Sequence, residues 1–415
     1  VMLGGYSETA LSGVAAVNQI QFVYQQLLMA LGDGLVIFCS QYWGKRQTEP
    51  MRKISSVAMR AGLFIAVVLF AAVSFFPREA VGLFTTEESI IREGTAYLGI
   101  VKYTYVFFAV TIILLATLRS VETVKIAFWL SVMAFCVNCC INYVLIYGRF
   151  GAPELGAKGA AIGTLAARIA ECAVLLVYIA KKEKKLHLQL KDYFRADRLM
   201  AGDYFRVCLP MLVVQGLWGL NTALQTVILG HMSAAAIAAN SAASTLFLLV
   251  KSMSVGASST ASVIVGKTIG TGNIPLVKHY SSIMQRLFVV IGLVSGLLLF
   301  LIRIPVMTLY DLSPEGMEMM NTFLIILSVV CVGMSYQMPT NNGIIRGGGN
   351  AMFVVKMDLV SIWMIVIPLS FAMAFVVKAS PAVVVCCLNA DQIFKCVPAF
   401  LESHYGNWIR KLTRE

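Results

Sequence analysis

Eleven apolar stretches of the sequence are each long enough to cross a lipid bilayer as a helix. They lie near residues 9–41, 54–76, 95–117, 126–148, 158–180, 207–230, 234–266, 281–302, 319–340, 354–377 and 382–400. The stretches 9–41 and 234–266 are longer than one crossing needs, so we expect them to be tilted or to extend beyond the bilayer. This pattern predicts an all-α protein that passes through the membrane many times.

The composition excludes the soluble classes of protein. Hydrophobic residues make up 59% of the chain and charged residues 13%, whereas soluble proteins carry about 25% charged residues. A soluble core of this size cannot hide so many apolar side chains, so the bilayer must cover the rest. A soluble enzyme, a secreted disulfide scaffold and a disordered chain are therefore ruled out.

The distribution of basic residues predicts the orientation in the membrane. Of the loops taken alternately, one set (44–53, 119–125, 181–206, 267–279, 346–356 and the tail from 401) carries 21 Lys and Arg, and the other set carries six. Lys and Arg accumulate on the cytoplasmic side, so the C-terminus is predicted to be cytoplasmic. The net charge of +12 is explained in the same way, and no nucleic-acid partner is predicted.

An internal repeat at an offset of 226 residues relates the two halves of the chain. The residues that match are Gly4 with Gly230, Gly44 with Gly270, Ser55, Ser56 and Arg60 with Ser281, Ser282 and Arg286, and, after a slip of one residue, Arg119 with Arg346. Such a repeat indicates two copies of one helical unit. An even number of helices in each copy makes the two copies parallel.

The repeat also predicts how the chain is divided. The second copy opens with the helix at 207–230, and the counterpart of that helix would end near residue 4, so about 20 residues of a first helix are interpreted as missing. We expect a chain lacking that helix to be less stable than one that has it. The predicted parts are an N-terminal lobe at 1–185 (helices 2–6 and the end of helix 1), a cytoplasmic basic linker at 186–206, a C-terminal lobe at 207–400 (helices 7–12) and a cytoplasmic basic tail at 401–415.

Polar side chains form stripes along three of the spans when residues are placed at 100° intervals. These substrate-cavity candidates are Asn18, Gln21 and Gln25 in the first span, Gln215, Trp218, Asn221 and Gln225 at 207–230, and Asn240 and Ser244 at 234–266. Lipid cannot satisfy amide groups. The stripes therefore either hold helices together or line a water-filled cavity between the halves, and we favour the cavity.

Charged residues inside the spans are candidates for function. Arg168 with Glu171 and Asp391 with Lys395 have the i,i+3 and i,i+4 spacings of structural ion pairs, and Asp358 is interpreted as solvated. Asp33 and Lys251 have no opposite charge within a turn of their own helices. They are the coupling-ion candidates, with two alternatives: Asp33 pairs with Lys251, or Asp33 carries the coupling cation alone.

Neither a resident metal nor a cofactor is predicted. Cys136 and Cys139 form a C-x-x-C pair inside a span with no histidine nearby, which does not suit a metal site. The chain has no nucleotide-binding signature and no catalytic constellation. An enzyme is therefore not expected, and any ion that the protein uses would be transported Na⁺ or H⁺.

Several segments together resemble the multidrug and toxic compound extrusion (MATE) family. They are 1–4, 10–11, Ser40 to Lys45, Asn138, Asn142 and Tyr143, 151–161, Arg346 to Asn350, Asp391 to Lys395 and 410–414. The resemblance implies two six-helix lobes in a V shape that export organic, cationic and amphipathic drugs or metabolites in exchange for Na⁺ or H⁺. It also implies a monomer in a bacterial cytoplasmic (inner) membrane. The alternative is a lipid-linked oligosaccharide flippase of the same superfamily.

Overall fold

The computed structural model describes residue 3 and residues 7–188, 192–193, 198–230, 232, 234–308 and 313–413. Within these ranges the chain is helical apart from its loops and one isolated antiparallel bridge between Gly349 and Ile409. The predicted all-α membrane fold is confirmed. Val1, Met2 and Gly4, assigned to the end of a first helix, lie outside the described residues.

The described residues of the first half form seven α-helices. They are α1 (Glu8–Gly44), α2 (Thr48–Phe75), α3 (Pro77–Gly82), α4 (Glu88–Val101), α5 (Thr104–Ser120), α6 (Lys125–Ile146) and α7 (Ala157–Lys182). The 37 residues of α1 extend for about 55 Å. This length exceeds the roughly 30 Å of a bilayer core, in agreement with the prediction for this span.

One predicted span is bent. The stretch at 95–117 was predicted to be one spanning helix, and in the structure it is covered by α4 and α5, which meet at an angle of 54°. At the break, the Thr104 hydroxyl donates to the Val101 carbonyl at 2.6 Å. A threonine that bonds back to a nearby carbonyl competes with the regular helical ladder, and hydropathy alone does not reveal this.

The second half is made of longer and more irregular helices. They are α8 (Arg198–Gly230), α9 (Ala234–Gly270), α10 (Ile274–Met307), α11 (Pro314–Met338), α12 (Ala351–Asp358), α13 (Ile367–Phe371), α14 (Pro381–Leu388), α15 (Asp391–Phe394) and α16 (Cys396–Tyr405). π-Helical turns occupy Pro339–Ile345, Leu359–Val366 and Ala372–Val376. The last two spans are therefore segmented rather than uniform.

The described helices account for the predicted spans. Nine helical stretches are long and apolar enough to cross a membrane, two of them (Ala351–Val376 and Pro381–Tyr405) made of several of the short helices above, and the bent pair α4 and α5 would make ten. Helix α8 is not among them, but it covers the remaining predicted span and begins earlier, at Arg198. Its second half carries the polar residues Gln215, Asn221 and Gln225.

The backbone reproduces the internal repeat. Helices α1, α2, α4 and α6 begin at residues 8, 48, 88 and 125, and α9, α10, α11 and α12 begin 226 residues later, at 234, 274, 314 and 351. Helices α1 and α9 also end at equivalent residues, Gly44 and Gly270. The two copies thus share one architecture.

The chain separates into two compact units. Unit 1 contains residues 1–39 and 48–208, and unit 2 contains 40–47 and 209–415. The last turn of α1 therefore belongs to unit 2, and the linker residues that follow α7 belong to unit 1. These boundaries differ from those expected from the loops.

Two equivalent glycines make a close helix contact within unit 2. A Cβ atom on Gly44 would overlap the Lys267 carbonyl oxygen, and one on Gly270 would overlap the Gln41 carbonyl oxygen. Only glycine permits such close approach of two helix backbones. The matching of Gly44 with Gly270 in the sequence therefore reflects a direct contact between the ends of α1 and α9.

Candidate functional site

The polar stripe of α1 lies on the side of the helix that unit 1 leaves accessible. The opposite side packs into unit 1, where Tyr24, Leu28 and Leu31 are buried. The Tyr24 hydroxyl also donates to the Tyr105 carbonyl at 2.7 Å. By contrast, Asn18 is exposed, and Gln21, Gln25 and Asp33 are half-buried. The three amide side chains are therefore left at least partly uncovered, as a ligand-binding face requires.

Asp33 has a charged partner from another helix. Its Oδ1 atom lies 2.9 Å from Nη2 of Arg119, near the end of α5. The sequence predicts either that Asp33 pairs with Lys251 or that it carries the coupling cation alone, and Arg119 is a partner that neither alternative includes. The partner is 86 residues away, so spacing along α1 could not reveal it. The matching of Arg119 with Arg346 was the only sequence signal that marked this arginine.

The polar stripes of α8 and α9 meet in unit 2. The Lys251 ammonium lies 5.1 Å from the centre of the Trp218 ring, within the range of a cation–π interaction. On α8, Gln225 Nε2 lies 3.5 Å from Oδ1 of the buried Asn221. Half-buried side chains extend both stripes, namely Gln215, Asn240 and Ser244.

A buried charge cluster lies near Lys251. Nζ of Lys395 is 3.0 Å from Asp391 Oδ2 and 2.8 Å from Asp358 Oδ1. The side chain of Lys395 is only 4% exposed. Both Asp391 and Lys395 interact electrostatically with Lys251. The interpretation of Asp358 as a solvated group was wrong, because this carboxylate shares the ammonium of Lys395.

A chain of amides that the sequence analysis missed extends this cluster. Gln392 donates to Asp391 at 2.9 Å, Gln337 donates to Gln392 at 2.8 Å, and Asn341 donates to Gln337 at 3.0 Å. Asn341 is 1% exposed, and its Oδ1 has no hydrogen-bond partner in the described part of the chain. The chain leads from the charges on α15 into the π-helical turn after α11. In the sequence, Gln392 could have been singled out only because it directly follows Asp391. No local pattern singles out Gln337 or Asn341.

The ion pair of α7 lies in unit 1. Arg168 Nη1 is 2.6 Å from Glu171 Oε2, and the guanidinium carbon is 4.8 Å from the centre of the Phe108 ring. Both charges are therefore engaged locally. This geometry suits a structural role for the pair.

Metal-binding groups are scattered. Among the described residues, no group of three or more His, Cys, Asp or Glu side chains could hold a metal ion. Cys136 and Cys139 are free thiols on α6. The groups considered for binding in the described part of the chain are therefore the charged and amide side chains given above.

Comparison with known proteins places this architecture in one family. The MatE family model matches residues 1–144 and 210–372. A probable multidrug resistance protein NorM from Thermotoga maritima is 24% identical over 100% of this chain and 89% of its own length. The uncharacterized transporter YisQ from Bacillus subtilis is 22% identical over 89% of this chain and 81% of its own length.

Solved structures agree with the fold. A crystal structure of MATE in complex with MaD3S has a TM-score of 0.88 at 15% identity, covering 97% of this chain and 89% of that one. A MOP superfamily transporter from Pyrococcus furiosus, described as having a binding pocket of reverse polarity, has a TM-score of 0.87 at 15% identity over 97% and 89% of the two chains. The two-repeat helical architecture and the family match lead to one conclusion. The chain belongs to the MATE family of membrane transporters.

Proposed function

We propose that this protein is a secondary active antiporter that exports amphipathic organic drugs or metabolites in exchange for Na⁺ or H⁺. Membership of the MATE family supports transport, and the names of the multidrug relatives do not favour the flippase alternative. The observation that carries the coupling proposal is the Asp33–Arg119 pair. It places a half-buried carboxylate with one charged partner inside an apolar helix.

Asp33 can couple to either ion by changing partners. A proton on its carboxyl group would remove the charge that holds Arg119, and a bound Na⁺ would compete with the guanidinium for the same oxygen. An intramembrane carboxylate of this kind is the usual location for a transported cation. No cofactor is part of the proposal.

The polar faces of α1 in unit 1 and of α8 and α9 in unit 2 are the proposed substrate-binding surfaces. We propose an organic cation as the substrate, because the face of Trp218 can bind an ammonium group. In the structure Lys251 lies over that ring, so a cationic substrate has to displace it. Lys251 therefore favours a second candidate, an organic anion, in line with the reverse polarity described for the Pyrococcus neighbour.

The proposed setting is the cytoplasmic membrane of a bacterium, with the protein acting as a monomer and its C-terminus in the cytoplasm. The bacterial relatives support this setting, and the distribution of basic residues supports the orientation. The lipid bilayer and small-molecule substrates are the proposed partners.

The test is efflux of ethidium and of an anionic dye from vesicles that contain the protein, with a Na⁺ gradient and a pH gradient imposed separately. We expect one gradient to drive efflux and Asp33→Asn to abolish it. Glu171→Gln is the matched control, because that carboxylate is paired within its own helix and should not carry the ion. Efflux that survives Asp33→Asn would assign Asp33 a structural role, and efflux independent of both gradients would contradict antiport.

A further inference from the structure

In unit 1, a cradle of donors on α2 holds one oxygen atom of the linker. We define the first cradle as Ser55, Ser56 and Arg60. The Tyr193 carbonyl accepts from Ser56 Oγ at 3.1 Å and from Nε and Nη2 of Arg60 at 3.0 and 2.9 Å. The Tyr193 hydroxyl lies 3.4 Å from Ser55 Oγ, and burial raises the pKa of this phenol to about 12, so it stays protonated.

The repeat builds the same cradle a second time, on α10. The second cradle consists of Ser281, Ser282 and Arg286, at the offset that relates the starts of α2 and α10. Equal spacing from equivalent helix starts gives the three side chains the same order around the helix. The second cradle therefore offers the same donors.

The two cradles differ in their hydrogen-bond partners. Ser281 is 2% exposed and its hydroxyl has no hydrogen-bond partner in the ranges that the structure describes. Arg286 is exposed. The described part of the tail binds elsewhere, with the Arg410 amide donating to the Gly348 carbonyl at 2.8 Å. Among the described residues, Arg286 therefore has no counterpart of the Tyr193 carbonyl that Arg60 binds in unit 1.

The surroundings of Arg286 are those of a lipid-facing surface. Ile283, Leu287 and Val290 lie within one turn of Arg286 and are 47–53% exposed. Lys278 and His279 are also exposed, nearer to the start of α10. The surface around Arg286 is apolar along the helix and basic toward the start of α10. A surface of this kind suits the border between acyl chains and headgroups.

The depth of Arg286 fits this border. The predicted span on α10 is 281–302, so Arg286 lies about 8 Å inside the start of that span at the helical rise per residue. Arg286 lies about 18 Å from the start of the helix by the same rise per residue. Helical side chains tilt toward the helix N-terminus, so the guanidinium can reach the headgroup layer.

We propose that the second cradle binds the phosphate of an anionic phospholipid from the leaflet at the start of α10. Arg286 would donate a pair of hydrogen bonds to phosphate oxygens, as Arg60 does to the Tyr193 carbonyl, and Ser282 would add a third. The positive-inside count predicts that this is the cytoplasmic leaflet. The lipid thus replaces, in unit 2, the linker oxygen of unit 1.

The experiment compares two equivalent arginines. The purified full chain is mixed with phosphatidylglycerol or phosphatidylcholine, and bound lipid is counted by native mass spectrometry. We expect a preference for phosphatidylglycerol that Arg286→Gln and Ser282→Ala weaken, the former by about tenfold. Free inorganic phosphate should not compete, because it lacks the acyl chains that bury against α10. The matched control Arg60→Gln should keep the lipid preference and lose thermal stability.

Three outcomes would overturn the proposal. Equal lipid binding by Arg286→Gln and the wild type would show that the cradle is not the site. Competition by inorganic phosphate would assign it to a soluble anion. If Arg286→Gln loses as much stability as Arg60→Gln in lipid-free detergent, a segment of protein rather than a lipid occupies the cradle.

Discussion

Arg168 and Lys395 are equivalent residues of the two repeats, at the same offset of 227 that relates Arg119 to Arg346, yet they use different kinds of partner. Arg168 pairs with Glu171 on its own helix. Lys395 pairs with Asp391 in the preceding turn and also with Asp358, which is 37 residues away. The repeats thus share the position of a cation and differ in how its charge is balanced.

The difference teaches that the architecture of the repeat does not determine its electrostatics. In unit 1 one partly exposed cation meets one carboxylate, so the local charge is zero. In unit 2 one ammonium faces two carboxylates, and the cluster carries an extra negative charge. Lys251 is close enough to interact electrostatically with both Asp391 and Lys395.

The largest effect is expected from removing the shared ammonium. Lys395→Met would leave Asp391 and Asp358 without their counter-charge and should lower the free energy of unfolding by about 3–5 kcal/mol. Thermal unfolding in detergent measures the loss. Asp358→Asn is the control, since Lys395 keeps Asp391, and it should cost only about 1 kcal/mol. If the two variants are equally stable, the cluster does not act as one unit.

A smaller effect is expected at the equivalent position of unit 1. Arg168→Met should cost about 1–3 kcal/mol, because the arginine is 26% exposed and only one carboxylate loses its partner. The same unfolding measurement applies. An effect as large as that of Lys395→Met would remove the distinction drawn between the two repeats.

The contact between Gly44 and Gly270 tests the converse case, in which the two repeats supply the same residue and should behave alike. Gly44→Ala and Gly270→Ala each place a methyl group against a backbone carbonyl, and each should cost about 1–2 kcal/mol. Gly82→Ala is a suitable control, since a Cβ atom there meets nothing. Clearly unequal losses for Gly44 and Gly270 would contradict the symmetry of the contact.

Much of the fold could be predicted because bilayer-spanning helices and repeats leave direct marks on a sequence. Hydropathy located the spans, and the offset of 226 located equivalent helix starts. The bend at Val101 and the segmented last spans could not be predicted in this way. They depend on side chains that bond back to the helix, such as Thr104 to Val101 and Asn389 to Val385.

The candidate site was predictable only where partners are close in sequence. The spacing rules identified Arg168 with Glu171 and Lys395 with Asp391, and both pairs are present in the structure. The partners Arg119 and Asp358 come from other helices, so no periodicity within one helix marks them. The acceptor of the first cradle is a backbone carbonyl, which any residue carries, and the sequence therefore gave no reason to single out Tyr193.

The docking of the linker on α2 has a consequence for dividing the transporter into two polypeptides. Tyr193 lies after α7 but holds to Ser56 and Arg60 in unit 1. A chain break before Asp192 would place Tyr193 on the C-terminal fragment and the first cradle on the N-terminal fragment. A break just before Arg198 would keep both on the N-terminal fragment. Two fragments that each keep their own contacts therefore require a break after Tyr193 and not directly after α7.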